Sequence, residues 1–284
     1  MPAKLVHHAY GKFDVRLTKV SRHPDRHELK ELSVDVQLYG DDFAATYLTG
    51  DNSKVVATDS MKNTVYVLAK RHPIDSIDDF GAELVRHFVG TYAQVSSAEV
   101  WIKQRAWQRI TTNGKPHRHA FVAGSDELRT CSVGYVHGGV THHAGLENLV
   151  VLKTTDSAFT GYVRDEYTTL PETLDRIFAT SVKATWTYEP GLPADGWNER
   201  FTAVRQAMLD VFADHKSLSV QQTLYSMGEA VLAGCPHVRL IRIEMPNQHR
   251  IPFNFEPLGL TFENDVYVPT EQPYGFIHAI ITRE

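Results

Sequence analysis

Cysteine is almost absent: of 284 residues only Cys131 and Cys235 carry a thiol. Two thiols so far apart make no disulfide framework and lack the paired spacing of a structural zinc site, which points to a reducing compartment. Long apolar runs are missing as well. Nothing approaches the ~18 consecutive apolar residues of a membrane span, and the start MPAKLVHHAYGKFDV has no apolar core of a secretory leader. Net positive charge is also lacking. With 29 Lys+Arg against 34 Asp+Glu, a formal charge of -5, there is no electrostatic footprint for nucleic acid. No G-x-G-x-x-G or G-x-x-x-x-G-K-[ST] cradle for phosphates occurs, so nucleotide cofactors find no support. The chain ends Ile-Thr-Arg-Glu rather than Ser-Lys-Leu, which removes a peroxisomal address. The expectation is a cytoplasmic protein without membrane or nucleic-acid partners.

What is present is ordered text. Phe13, Val15 and Leu17 alternate with Asp14, Arg16 and Thr18, and Val34, Val36 and Leu38 alternate with polar residues beyond a turn near Pro24. Period two predicts an antiparallel hairpin with one apolar face. Ile77, Phe80, Leu84 and Phe88 keep helical spacing behind an S-x-x-D box at Ser76. Strand patterns return at 97–110 and 120–135. The second half repeats the order: strands at 146–153 and 182–188, a helix through Phe201, Val204, Met208 and Val211, a second behind the S-x-x-Q box at Ser219, and strands at 238–245 and 274–282. Thr58-Asp59-Ser60 is echoed by Thr155-Asp156-Ser157. The pattern predicts two similar α+β halves, each an antiparallel sheet with helices on one face, divided in the Gly-rich stretch 134–145. The expected domains are 1–140 and 141–284.

Several positions combine a chemical and a plain structural reading. Thr58-Asp59-Ser60 sits where an apparent strand Val55-Val56-Ala57 enters a helix; these residues suit an N-cap, and the helix start suits an anion. Lys12 shares parity with Asp14 and Arg16, which predicts a solvated lysine unless it meets a hydroxyl whose alkoxide it would stabilise. His249 follows Pro246-Asn247-Gln248 at a strand end and can shuttle protons or simply face solvent. His117 and His119 share a strand face but have no third ligand at a defined spacing. Thr169-Leu170-Pro171-Glu172 has a capping form that would place Arg176 in a short helix, free to fork onto a planar acceptor or to pair with Asp175 or Glu172. Phe159 is either core or a stacking platform.

Taken together, Tyr10-Gly11-Lys12, the segments 56–64, 152–159 and 164–170, Ser219-Val220-Gln221 and Pro246-Asn247-Gln248-His249 resemble urate oxidases (uricases) in collinear order over nearly the whole chain. The resemblance implies two tandem tunnelling-fold domains, a homotetramer with active sites between subunits, and oxidation of urate by O2 to 5-hydroxyisourate and hydrogen peroxide without metal or organic cofactor. It implies Lys12 and Thr58 as the proton-handling pair, with His249 extending the relay. Arg176 and Gln221 would grip urate, Phe159 would stack on it, the backbone of Asp59 and Val220 would add hydrogen bonds, and Asn247 would face the O2 or water site. Thr160-Gly161 departs from the aromatic-Gly pair common in such sequences. Two other readings fit the same text: a tunnelling-fold hydrolase of purines or pterins holding a metal through His117, His119 and Cys131, and a non-catalytic purine-binding oligomer.

Overall fold

The computed structural model describes residues 3–136 and 138–283; Met1, Pro2, His137 and Glu284 lie outside it, so neither the extreme start nor the last residue of the C-terminal motif is placed. Two compact units divide the chain, one of residues 1–145 with 190–198, the other of 146–189 with 199–284.

In the first unit β1 (Tyr10–Arg22), β2 (His27–Tyr39), β3 (Ser97–Thr112) and β4 (Lys115–Val136) pair antiparallel in that order. Alternation sets the register: Val34 faces Ile102, Val36 faces Val100, and these face Cys131 and Val133, all buried. Three helices separate the two hairpins: α1 (Ala44–Thr49), α2 (Thr58–Arg71) and α3 (Ile77–Thr91). Met61, Val65 and Leu68 of α2 and Phe80, Leu84 and Phe88 of α3 close over that sheet face. Ser76 caps α3 as the box predicts, its Oγ accepting from the Asp79 N–H at 3.0 Å. Residues 190–198 join this unit through Asn198, whose amide accepts from Arg129 at 2.6 Å and donates to the Asp75 carbonyl at 3.0 Å.

β5 (Gly139–Lys153) contains the unit boundary. In the second unit β5 is followed by β6 (Phe178–Tyr188), α4 (Trp197–Asp214), α5 (Val220–Gly234) and β7 (Val238–Pro246), with β10 (Phe276–Thr282) on the far side of β7. Ala184 faces Ile243 and Trp186 faces Ile241, and Val204, Met208, Leu224, Met227 and Val231 of the helices are buried with them. A side excursion between β7 and β10 forms a separate two-stranded sheet, β8 (His249–Pro252) with β9 (Tyr267–Thr270). Both units read strand, strand, helices, strand, strand, the repeated order that the sequence predicts. Among the described residues no helix is long and apolar enough to cross a membrane.

Candidate active site

The predicted parity of β1 is broken by a bulge. Lys12 pairs with Val36 and Val15 with Val34, so Phe13 and Asp14 together oppose the single Asp35. Asp14 takes the left-handed conformation, φ 55°, that Asp tolerates better than most residues, and its N–H donates to Asp35 Oδ1 at 2.6 Å. The consequence is an exchange of faces. Lys12 joins Tyr10, Val15 and Leu17 opposite the buried Leu38, Val36, Val34 and Leu32 on the helix-covered side. Phe13, expected on that side, is instead exposed and stacks on Trp101 with centroids 6.3 Å apart. Lys12 is therefore half-buried rather than one of a solvated polar row.

The segment before α2 is not a strand. Val55 closes a turn onto the Asn52 carbonyl, and the Val56 N–H donates to the Tyr10 hydroxyl at 2.7 Å, leaving no ladder to join. The helix opens one residue earlier than a Thr58 cap would require: Ala57 is the N-cap and no side chain caps it. Thr58 and Asp59 occupy the exposed first turn, where the dipole of a 14-residue helix favours an anion. The Asp59 carboxylate turns along the helix, accepting from Lys62 at 2.5 Å and Asn63 at 2.9 Å. The Lys62 hydrogen bond chiefly holds Asp59 below the usual carboxylate range, and the positive charge of Lys12 adds to the effect.

In the second unit Phe159 is fixed by backbone pairing with Thr173, 2.8 and 3.1 Å in the two directions. This pairing replaces the short helix expected after Thr169. Glu172 spends its carboxylate on the Gly161 N–H at 2.9 Å, so the chain stays extended and delivers Arg176 to the ring, its guanidinium carbon 5.3 Å from the Phe159 centroid. Burial lowers the Arg176 pKa from its very high ordinary value, and a guanidinium remains charged there. Asp175, with Glu172 one of the two expected ion-pair partners, instead accepts from the Thr155 hydroxyl at 2.8 Å. Tyr162 stacks almost parallel on Phe159, 4.8 Å between centroids at 14°.

Val220 and Gln221 open α5, capped by Ser219 as predicted: Ser219 Oγ accepts from the Gln222 N–H at 3.1 Å while the Gln222 amide accepts from the Leu218 N–H at 2.9 Å. Val220 is buried and Gln221 exposed. Asn247 bridges β6 at Thr180 and donates its N–H to the Gly275 carbonyl at 2.9 Å. His249 does not hang from a loop but begins β8, paired with Thr270. No hydrogen bond links Asn247 or His249 to Phe159, Arg176 or Gln221 among the described residues.

His117 and His119 pack ring against ring at 4.7 Å, with His27 next to His119 at 5.8 Å, whereas Cys131 lies in the core. Among the described residues no three His, Cys, Asp or Glu gather as metal ligands. The support given by Tyr10 and Tyr162 has no signal in the sequence beyond proximity to Lys12 and Phe159, because an aromatic two or three residues away reads as ordinary packing.

Comparison with known proteins identifies this framework. The model of the uricase family matches residues 8–134 and 142–278. The chain is 38% identical over 283 residues to the uricase of Dictyostelium discoideum, covering 99% of this chain and 98% of that one. It is 41% identical over 275 residues to the uricase of Arthrobacter globiformis, covering 97% and 88%. The crystal structure of the Arthrobacter globiformis enzyme superposes with a TM-score of 0.93 at 40% identity, covering 100% of this chain and 96% of the other. That of Bacillus sp. TB-90 urate oxidase gives 0.85 at 25% identity, covering 98% and 100%. The two units are tandem tunnelling-fold domains. Matched in both halves and over nearly its full length, the chain belongs to the uricase family of oxidoreductases.

Proposed function

We propose that the chain oxidises urate with O2 and water to 5-hydroxyisourate and hydrogen peroxide, the purine losing two electrons and O2 accepting them as peroxide. The observation that carries this reading is the bulge that takes Lys12 off the solvent-facing row of β1 and onto the sheet face over which α2 packs. An ammonium beside the Thr58 hydroxyl stabilises the alkoxide, so the pair can take a proton from urate and leave an electron-rich dianion, the reductant that O2 requires. His249 passes the proton onward. Arg176 and Gln221 grip the carbonyl and N–H edge of the purine, Phe159 lies against its plane, and the N–H groups of Asp59 and Val220 complete the hydrogen bonds. Asn247 faces the O2 or water.

The division of these residues between two units fits a homotetramer in which neighbouring copies complete each site, with the domain boundary near residue 140. No metal or organic cofactor enters the scheme, and a cytoplasmic location accords with it. Oxygen-electrode measurement after chelation tests the reading: O2 uptake and peroxide release should each match the fall in urate absorbance. Dependence of turnover on restored zinc would favour a hydrolase, and binding without O2 uptake a non-catalytic oligomer.

A further inference from the structure

The segment carrying Phe159 and the helix start carrying Gln221 are joined by a buried seam centred on Ser217. Ser157 and Ser217 form an isolated parallel bridge, in which the Ser217 N–H donates to the Asp156 carbonyl at 2.9 Å and the Ala158 N–H to the Ser217 carbonyl at 2.7 Å. The side chain continues the seam into α5. Ser217 Oγ donates to the Ser219 carbonyl at 3.1 Å and accepts from Thr223 Oγ1 at 2.8 Å. Behind it, the Lys153 ammonium donates to the His215 carbonyl, which holds the approach to Ser217 from the other side.

Ser217 and Thr223 are exposed by no more than 1%. Buried hydroxyls contribute little net stability compared with apolar groups of the same volume, but their bonds are directional. Here the direction matters: a slip of the 157–159 segment along Ser217 would move the Phe159 ring relative to Gln221, and displacement of about 1 Å is enough to spoil the geometry of a bound reactant.

We infer that Ser217 and Thr223 are positioning residues that hold the Phe159 platform in register with the Gln221 amide. The inference rests on the reading of Phe159 and Gln221 as urate contacts. Thr223→Val keeps the shape and removes the hydroxyl, Thr223→Ser keeps the hydroxyl, and Ser217→Ala removes the acceptor at the centre of the seam. With urate as substrate, Thr223→Val and Ser217→Ala should each raise KM about fivefold, the equivalent of one lost hydrogen bond, with kcat little changed. Thr223→Ser should restore KM to the parent value. An unchanged KM in the soluble Thr223→Val or Ser217→Ala protein overturns the inference, even where Tm falls. An equal rise in Thr223→Val and Thr223→Ser also overturns it, because volume rather than the hydroxyl would then be at issue. A parent enzyme that consumes no urate defeats the proposed function and this inference with it, whereas normal parent turnover with unmoved variant KM defeats the inference alone.

Discussion

The Val56 backbone N–H donates to the phenol oxygen of Tyr10 at 2.7 Å, two residues before Thr58 on one side and two before Lys12 on the other. Tyr10 also meets Phe43 edge-on at 4.9 Å, and burial raises the pKa of its hydroxyl. Tyr10→Phe keeps the packing and orphans a buried N–H, which should cost about 1–3 kcal/mol. Thermal unfolding of the purified variant checks this, and an unaltered Tm would show that the bond contributes nothing.

Gly11 admits no side chain. A Cβ there would lie 2.0 Å from the Val36 carbonyl oxygen, part of the sheet backbone itself. Gly11→Ala should separate β1 from β2 next to Lys12, with destabilisation of about 2 kcal/mol or more and a loss of activity. Gly90→Ala is the contrast: an exposed position in α3 with no atom within 4 Å of the added carbon, expected to raise stability by up to about 1 kcal/mol. Denaturant midpoints for the two variants should move in opposite directions.

Lys12→Met and Thr58→Ala should each lower kcat about 10²–10⁴-fold, the range for loss of a proton-transfer group, while the size-exclusion profile stays that of the parent. Near-parent turnover in either variant, measured with size-exclusion confirmation of assembly, would remove that residue from the base.

Arg176→Ala should act on binding. Loss of charge-assisted hydrogen bonds worth about 1.5–3 kcal/mol corresponds to a KM raised roughly 10- to 150-fold. Steady-state kinetics across a wide urate range decides it, and a parent-like KM would rule out the grip.

Asp175 braces the same region and its pKa is lowered chiefly by the Thr155 hydroxyl. A carboxyl whose folded pKa lies below its unfolded value adds stability above the unfolded pKa and loses it as pH falls through the folded one. Asp175→Ala should therefore unfold at a lower Tm than the parent near pH 6, with the gap narrowing as pH falls below the ordinary carboxylate range. A gap independent of pH would exclude the carboxylate as its cause.

The alternation of β2, the 3.6-residue spacing of α3 and the capping boxes at Ser76 and Ser219 were legible because each is a local rule with local consequences. The family motifs named the candidate residues in the same way. What stayed hidden depended on partners distant in sequence. Parity put Phe13 inside and Lys12 outside, and only the pairing with β2 reveals two residues opposite one. The T-x-x-E form before Arg176 predicted a helix, but Glu172 and Thr173 were claimed by Gly161 and Phe159. Three serine and threonine hydroxyls at 157, 217 and 223 carry no periodic signal at all.

The irregularity at Phe13–Asp14 reconciles an odd spacing, three residues from Lys12 to Val15, with side chains that face the same way. Many residues can replace an exposed Phe13 without turning the lysine, and deleting one residue between Lys12 and Val15 would remove the bulge while leaving Lys12 two residues from Val15 and on the same face. The facing of Lys12 thus rests on how β1 pairs with β2 and not on the identity of its neighbours.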